Sequence, residues 1–244
     1  MRHAQSAIAL TGAGLSTPSG IPDFRSPHAG LWAQADPLEV ASLLTFRYEP
    51  ERFFQWVRPL ADLVRRAQPN PAHTALAQLE AAGRLQWVLT QNIDGLHHRA
   101  GSRQVLELHG GLDRATCIKC YAHFPGGPVL ETFIETGELP RCAGCGGLLK
   151  PDVILMGEEL TASVLYAARR AARECEVMLV AGSSLEVMPA AGLPMEALSH
   201  GARLILVNLQ PTYVDNQATV LIEGNVAEVL PQIAEAAGAA IHVE

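Results

Sequence analysis

Residues 11–25 read Thr-Gly-Ala-Gly-Leu-Ser-Thr-Pro-Ser-Gly-Ile-Pro-Asp-Phe-Arg, and they follow a short apolar run, Ser6 to Leu10, with the character of a buried first strand. Gly12 and Gly14 flank Ala13 where that strand ends. Glycine adopts backbone angles that a Cβ forbids and lets a ligand come close to the main chain. A helix starting near Leu15 would add unpaired N–H groups and a positive dipole end, an anion site suited to a pyrophosphate. The strict dinucleotide fingerprint has a third glycine, and Thr17 stands in its place. A tight strand-to-helix turn accounts for the Gly-x-Gly pair equally well. The continuation is less ordinary: Gly20-Ile21-Pro22-Asp23-Phe24-Arg25 puts an acid, an aromatic and an arginine in one loop. A Gly/Pro-bounded loop of that mixture more often serves a ligand than a fold.

The 244-residue chain as a whole bounds what that loop belongs to. Hydrophobic residues at 48% and charged residues at 18% suffice for a large packed core. A net charge of -7 argues against a nucleic-acid partner, because phosphate neutralisation needs a basic face. It favours basic, lysine-bearing partners instead. No apolar run approaches the ~18 residues of a membrane span, and the first residues lack the apolar segment of a secretory signal. Four of the five cysteines form two tight pairs, which suits a metal in a reducing compartment better than a disulfide framework. The expected location is the cytoplasm.

Beyond Gly30-Leu31-Trp32, the stretch Asp36 to Arg66 carries Leu43, Phe46, Phe53, Trp56, Leu60 and Leu63 at near-helical spacing, interrupted by Pro50 and Pro59. It predicts two or three short amphipathic helices whose aromatics pack a core. Pro69-Asn70-Pro71 closes that segment, and Ala72 to Ala82 predicts a helix ending at Gly83. Strands are expected at Leu85–Thr90, Val105–Leu108, Val153–Met156, Val177–Ala181, Arg203–Val207 and Ala218–Ile222, with helices at Thr161–Cys175, Ala190–His200 and about Val226–Ala237. Alternation of this kind, with near-continuous Val/Ile/Leu strands, indicates a doubly wound parallel sheet.

Several strand ends carry small or polar residues: Gln91-Asn92-Ile93-Asp94, His109 before two glycines, Gly182-Ser183-Ser184, and Asn208. Open α/β sheets bind ligands there. Singly, each has a plain structural reading: Asn92 and Asp94 are turn formers, and a loop histidine is usually just solvated. His109 has the reference pKa of ~6.5 that suits proton transfer near neutrality. His97 and His98 look helical, and His73 looks like a helix-start residue. Cys117-x-x-Cys120 and Cys142-x-x-Cys145 can set four thiolates around one Zn²⁺. Disulfides are the competing reading. A Cys₄ zinc would be closed to water and structural. Cys175 stands alone.

Taken jointly, Gly12 to Arg25, Gln91 to Asp94, His109-Gly110, the four cysteines and Gly182-Ser183-Ser184 resemble the sirtuin family in its bacterial form, over nearly the whole chain. The resemblance implies a Rossmann-type domain from residues 1–32, 71–112 and 151–244. It also implies a smaller domain from a helical insertion at 33–70 and a zinc ribbon at 113–150. It implies NAD as co-substrate and acyl-lysine of proteins as substrate, handled by a monomer. By position, Gly12, Ala13, Gly14, Ser16, Ile21, Pro22, Asp23, Phe24, Arg25, Gln91, Asn92, Ile93 and Asp94 would surround the nicotinamide, ribose and phosphates. Gly182, Ser183, Ser184, Asn208, Asn225 and Val226 would hold phosphate and adenosine. His109 would be the general base. The peptide would add as a strand between Ile154, Met156, Gly157 and Glu158 on one side and Leu185, Glu186 and Val187 on the other. The implied reaction moves the acetyl group to ADP-ribose, releasing nicotinamide and O-acetyl-ADP-ribose.

Two departures from the family pattern are Met156, where an aromatic is usual, and Ser183, where threonine is usual. Family members that remove succinyl groups carry a Tyr-x-x-Arg pair, and Val57 and Leu60 align there, so acetyl or another uncharged acyl group is expected. The rival readings are mono-ADP-ribosyl transfer or NAD hydrolysis on the same scaffold, and a non-catalytic NAD-sensing or zinc-ribbon module.

Overall fold

The structure, a computed structural model, describes residue 1, residues 4–23 and residues 35–239. In chain order the strands are β1 (Ala7–Thr11), β2 (Trp87–Thr90), β3 (Val105–Glu107), β4 (Gly110–Cys117), β5 (His123–Pro125), β6 (Leu149–Val153), β7 (Val177–Ala181), β8 (Arg203–Asn208) and β9 (Val220–Glu223). The helices are α1 (Pro37–Val40), α2 (Leu43–Tyr48), α3 (Pro50–Arg66), α4 (Pro71–Ala81), α5 (Leu96–Arg99), α6 (Gly126–Thr136), α7 (Ala162–Glu174), α8 (Leu193–Ser199) and α9 (Val226–Ala236).

Every residue of β1 and β7 is buried, as expected of central parallel strands covered on both faces. Their side chains alternate. Ile8, Leu10, Met178 and Val180 pack with Ala168 and Ala172 of α7 and Leu193 and Ala197 of α8. Ala9, Leu179 and Ala181 pack with Leu76 and Leu79 of α4 and Val226 and Leu230 of α9. The parallel sheet runs β3-β2-β1-β7-β8-β9. The order reverses between β1 and β7, the switch point at which doubly wound folds open a crevice.

At that point the turns after β1 and β7 touch backbone to backbone. A Cβ on Gly12 or Gly14 would lie 2.9 Å from the Gly182 carbonyl oxygen. One on Gly182 (φ +60°) would overlap the Leu15 nitrogen. The two glycines after β1 therefore serve the packing of the two turns, whatever else they admit.

A smaller domain joins the helical insertion to the ribbon. Phe46, Phe53 and Phe54 pack with Phe133 of α6, the Phe54–Phe133 rings meeting edge to face at 5.1 Å. Arg58 of α3 donates to the carbonyls of Ile134 (2.6 Å) and Glu135 (3.2 Å), satisfying the end of α6. The antiparallel sheet β5-β4-β6 forms the ribbon.

The structure corrects several local expectations. No α-helix starts near Leu15. Two single 3-10 turns, Ala13–Leu15 and Thr17–Ser19, follow β1, with Pro18 inside the second and Gly20 ending it at φ +86°. Val153–Met156 is not a strand of the main sheet: β6 spans Leu149–Val153 and pairs antiparallel with β4. Gly126-Gly127-Pro128, residues of turn-forming type, opens the 11-residue helix α6, which together with β5 fills the gap between the cysteine pairs. Pro59 lies inside α3 without breaking it, at an exposed position where the Gln55 carbonyl left without its helical donor is open to solvent. Ala190–His200 divides into a 3-10 turn and α8. Phe24, Arg25 and the Pro27–Gly30 loop lie outside the described residues. Among those described, no helix is long and apolar enough to cross a membrane.

The contact between the two turns yields a paired prediction. Gly83→Ala (φ +68°, nothing within 4 Å) meets only the left-handed backbone penalty of about 1–2 kcal/mol. Gly182→Ala meets the same penalty plus backbone overlap, and is expected to cost at least about 2 kcal/mol more. Denaturant unfolding of both variants measures the difference; equal costs would show that the turns do not need their close approach.

Candidate functional site

A cleft of about 750 Å³ opens at the C-terminal ends of β1, β2, β7 and β8, beneath the small domain. Of the residues named from the sequence, Gly12, Ala13, Gly14, Ser16, Ile21, Pro22 and Asp23 line it, as do Gln91, Asn92, Ile93, Asp94 and His109. So do Gly182, Ser183, Ser184, Asn208, Asn225 and Val226, and Ile154, Met156, Gly157, Glu158 and Val187. Leu185 and Glu186 do not; Leu185 is buried in the core of the main domain at φ +55°.

His109 lies between β3 and β4. Its Nδ1 is 2.9 Å from the Gln91 carbonyl oxygen, which can only accept, so Nδ1 carries the proton and Nε2 keeps its lone pair. Burial holds the imidazole pKa below its ordinary value, and the bond to Gln91 opposes that shift. At neutral pH the ring is an uncharged base. The His109 carbonyl also accepts from the Ile154 N–H at 2.8 Å.

Gln91 reaches both ways. Its side-chain amide donates to Ser183 Oγ at 2.8 Å, while Ser183 and Asn208 close a two-bond ring: Ser183 N–H to Oδ1 at 2.9 Å and Nδ2–H to the Ser183 carbonyl at 3.0 Å. On the other side, Asn92 Nδ2 donates to the Gly12 carbonyl and to Ser16 Oγ, both at 3.0 Å. Ser16 Oγ in turn donates to Asp94 Oδ2 at 2.7 Å. The loop after β2 is thus bonded to the turns after β1 and β7, and a polar wall joins three strand ends.

Anion-binding capacity comes from the main chain. Ala13, Ser184 and Val226 line the cleft, and their N–H groups have no hydrogen-bond partner among the described residues. Val226 is the first residue of α9, capped by Asn225, whose Oδ1 accepts from Ala227 N–H at 3.0 Å. The helix N-terminus at the cleft is therefore that of α9, not of a helix after β1. Its positive dipole end faces the same space.

The cleft continues between α3 and the ribbon along Trp56, Val57, Leu60, Leu112, Leu130 and Phe133, an apolar wall of which the sequence reading assigned Trp56 and Leu60 to packing and set Val57 and Leu60 at the acyl-recognising positions. Asn70 was also passed over as a segment boundary. Its side chain accepts from Ala72 N–H and donates to the Leu15 carbonyl (2.8 Å) and Ser19 Oγ (2.9 Å), fastening α4 to the turns after β1. The signal was present, since Asn directly before Pro71 with His73 at the third helical position is a capping pattern.

The four thiols Cys117, Cys120, Cys142 and Cys145 lie within 4.8 Å of one another. Sγ–Sγ distances of 3.4 Å (Cys117–Cys145) and 3.7 Å (Cys120–Cys142) are close to the about 3.8 Å edge of a tetrahedron with ~2.3 Å Zn–S bonds. The knuckle backbones fold around the sulfurs: Lys119 N–H points at Cys117 Sγ, and a Cβ on Gly147 would lie 2.8 Å from the same atom. These residues fit a four-coordinate thiophilic metal. Cys175, by contrast, is buried in the core and burial pushes its pKa to about 11.

Comparison with known proteins agrees over nearly the full length. The Sir2 family model matches residues 12–189. NAD-dependent protein deacylase 2 of Archaeoglobus fulgidus is 46% identical over 230 residues, covering 94% of this chain and 90% of that protein. A solved Sir2–p53 peptide–NAD+ complex is similar at a TM-score of 0.88 and 36% identity, covering 98% of this chain and 95% of the other. The structure of Sir2Tm bound to a propionylated peptide is similar at 0.87 and 36%, with the same coverage.

Two histidines under the site carry an acid liability. His97 Nε2 is 3.0 Å from Thr11 Oγ1, and its ring packs on that of His73 at 5.0 Å. His73 Nε2 and His97 Nδ1 are buried without a hydrogen-bond partner among the described residues. Burial lowers their pKa values to about 4 (His73) and about 3 (His97). Both folded values lie below the ~6.5 of an unfolded imidazole, so the unfolded chain binds more protons. Their contribution is intact above ~6.5 and shrinks by roughly 1.4 kcal/mol per histidine for each pH unit below it. Thermal unfolding followed from pH 7 to 5 is expected to show that slope, and His97→Gln is expected to halve it. An unchanged slope in the variant would show that His97 is not the group being protonated.

Proposed function

The chain belongs to the Sir2 family, and from that premise we propose that it is an NAD-dependent protein-lysine deacetylase. In this reading the acetyl group of acetyl-lysine passes to ADP-ribose with consumption of one water, and nicotinamide, O-acetyl-ADP-ribose and free lysine are released. The observation that carries it is His109: a partly buried, uncharged imidazole whose Nδ1–H is held by the Gln91 carbonyl and whose Nε2 is left to take a proton. A module that only bound NAD would have no use for that tautomer.

NAD enters as a substrate and supplies the ADP-ribosyl group to which the acyl oxygen adds. The chain's own residues hold and orient it. Main-chain N–H groups at Ala13, Ser184 and Val226, with the α9 N-terminus, suit the pyrophosphate. Gly12 to Asp23, Phe24, Arg25 and Gln91 to Asp94 would surround the nicotinamide ribose, and Ser183, Asn208 and Asn225 the adenosine side. His109 Nε2 removes the proton of a ribose hydroxyl so that the oxygen can attack the transferred acyl carbon, and the Gln91 carbonyl stabilises the imidazolium so formed. The polar wall from Ser16 through Asn92 to Gln91 keeps these groups in register before substrate arrives.

The acyl-lysine peptide is proposed to pair with the segment from Ile154 to Glu158. The N–H groups of Ile154, Leu155 and Met156 are already taken, whereas the Gly157 N–H and the Ile154 and Gly157 carbonyls have no partner among the described residues. These are main-chain groups, so sequence preference should be loose. Val57 and Leu60 in the cleft wall offer no cation to a carboxylated acyl group, which supports preference for acetyl over succinyl. The metal is proposed to be one Zn²⁺ on Cys117, Cys120, Cys142 and Cys145. With every tetrahedral position taken by thiolate, it supplies structure to the ribbon and no chemistry.

The test is a mass-spectrometric assay of an acetyl-lysine peptide with and without NAD. Loss of the acetyl mass only with NAD, with O-acetyl-ADP-ribose formed, is the expected result. NAD loss without deacetylation would replace this reading by ADP-ribosyl transfer or NAD hydrolysis. His109→Ala is expected to lower turnover at least about 100-fold while NAD still binds. The base works deprotonated and its pKa is depressed, so the acid limb of kcat/KM should fall below pH ~6.5; a limb at that value or above it would show that burial does not depress the His109 pKa.

A further inference from the structure

We propose that Lys150, a residue of the zinc ribbon, is a positioning residue for the acyl-peptide strand, acting through Glu158; the inference rests on the deacetylase reading of the cleft. Lys150 lies on β6, where it pairs with Thr116 one residue before Cys117. Its ammonium group is 2.9 Å from Glu158 Oε2 and donates to the Val153 carbonyl at 2.7 Å and the Pro151 carbonyl at 3.3 Å. All three of its protons are engaged. The side chains are only 15% and 21% exposed, so the pair is largely shielded from water.

Glu158 uses the same Oε2 to accept the Leu155 N–H at 2.8 Å, while its own N–H bonds the Leu155 carbonyl at 2.9 Å. Those reciprocal bonds make residues 155–158 a closed turn, and Gly157 at its tip, φ +88°, presents its free main-chain groups to the cleft. Two further bonds fix the same segment: Ile154 N–H to the His109 carbonyl, and Met156 in parallel pairing with the Ala41–Leu43 stretch. Removing the ammonium would leave a shielded carboxylate without its counter-charge. The carboxylate would then turn to water, and the Leu155 N–H would lose its acceptor. The turn that faces the peptide would open, while the NAD end of the cleft, built from other strand ends, would not change.

The experiment uses the full chain with zinc bound and reads peptide and NAD separately. In Lys150→Met, KM for an acetyl-lysine peptide and Kd for its fluorescein-labelled form are expected to rise about tenfold, as for loss of a largely buried, hydrogen-bonded charge pair. KM for NAD, zinc content and kcat at saturating peptide are expected to stay within about twofold, and Lys150→Arg to restore peptide KM to within about threefold. Should the Met variant not fold, Glu158→Gln, which keeps an acceptor for Leu155 N–H but not the charge, is expected to raise peptide KM by a smaller factor of about three. Unchanged peptide KM and Kd, or an equal rise in the KM values of both substrates, would overturn the proposal. Absence of NAD-dependent deacetylation in the unsubstituted chain would instead overturn the functional reading on which it rests.

Discussion

Two backbone turns pressed together without side chains between them govern the rest of the molecule. Gly12 and Gly14 after β1 meet Gly182 after β7 so closely that a methyl group on any of the three would strike main-chain atoms. Because β1 and β7 are the central pair at which strand order reverses, this contact sets the floor of the crevice. The remaining ties depend on it. Asn92 can reach the Gly12 carbonyl and Ser16, and Gln91 can reach Ser183, only because the turns sit where they do. From beneath, Asn70 holds the same turns to α4, and the His97–Thr11 bond holds the end of β1 to α5. The buried polar groups here, Thr11, Ser16, Asn92, Ser183 and Asn208 among them, are hydrogen-bonded to other protein groups.

The small domain is attached by a few short segments, and one of them does most of the joining. Residues 154–158 leave the ribbon, bond the backbone of His109, and pair through Met156 with the entry to α2. The cysteine cluster lies at the far end of the same two strands, with Cys117 pairing Leu149 and Thr116 pairing Lys150. A metal held by the four cysteines would therefore help to hold the geometry of the cleft without touching substrate, since the strands it would clip together are continuous with the segment that borders His109.

Much of this was legible because the decisive residues have few substitutes. Gly-x-Gly at a strand end, two Cys-x-x-Cys pairs and alternating apolar runs each restrict the backbone to a narrow set of conformations, and they located the sheet, the crevice and the metal cluster. The misplacements occur where local pattern and tertiary context conflict. Val153–Met156 is apolar enough for a parallel strand, yet only Val153 lies in a strand, and that strand belongs to the ribbon, because Lys150 and Gly110 register β6 on β4. Gly126-Gly127-Pro128 has turn chemistry, yet it opens α6, whose first turn needs no internal N–H donors. From spacing alone His97 looks helical and His73 looks like a helix-start residue. Nothing local announces that their helices meet, and the 5.0 Å ring contact exists only in three dimensions.

The anion-binding groups show the same limit from the opposite side. Ala13, Ser184 and Val226 contribute N–H groups, which any residue but proline carries, so their identities say nothing about their use. His109 is different, because its role needs an imidazole and a particular proton position. Burial strips the ring of its charge, which frees Nε2 to act but also makes it a poorer base. The Gln91 carbonyl offsets that loss: it fixes the proton on Nδ1 beforehand, and it becomes a stronger partner once Nε2 is protonated and the ring carries charge. Since the Gln91 side chain is also bonded to Ser183, the proposed base is oriented by the same strand ends that border the backbone proposed to hold phosphate. Proton acceptor and anion cradle thus share one support, and a displacement of either turn would be felt at both.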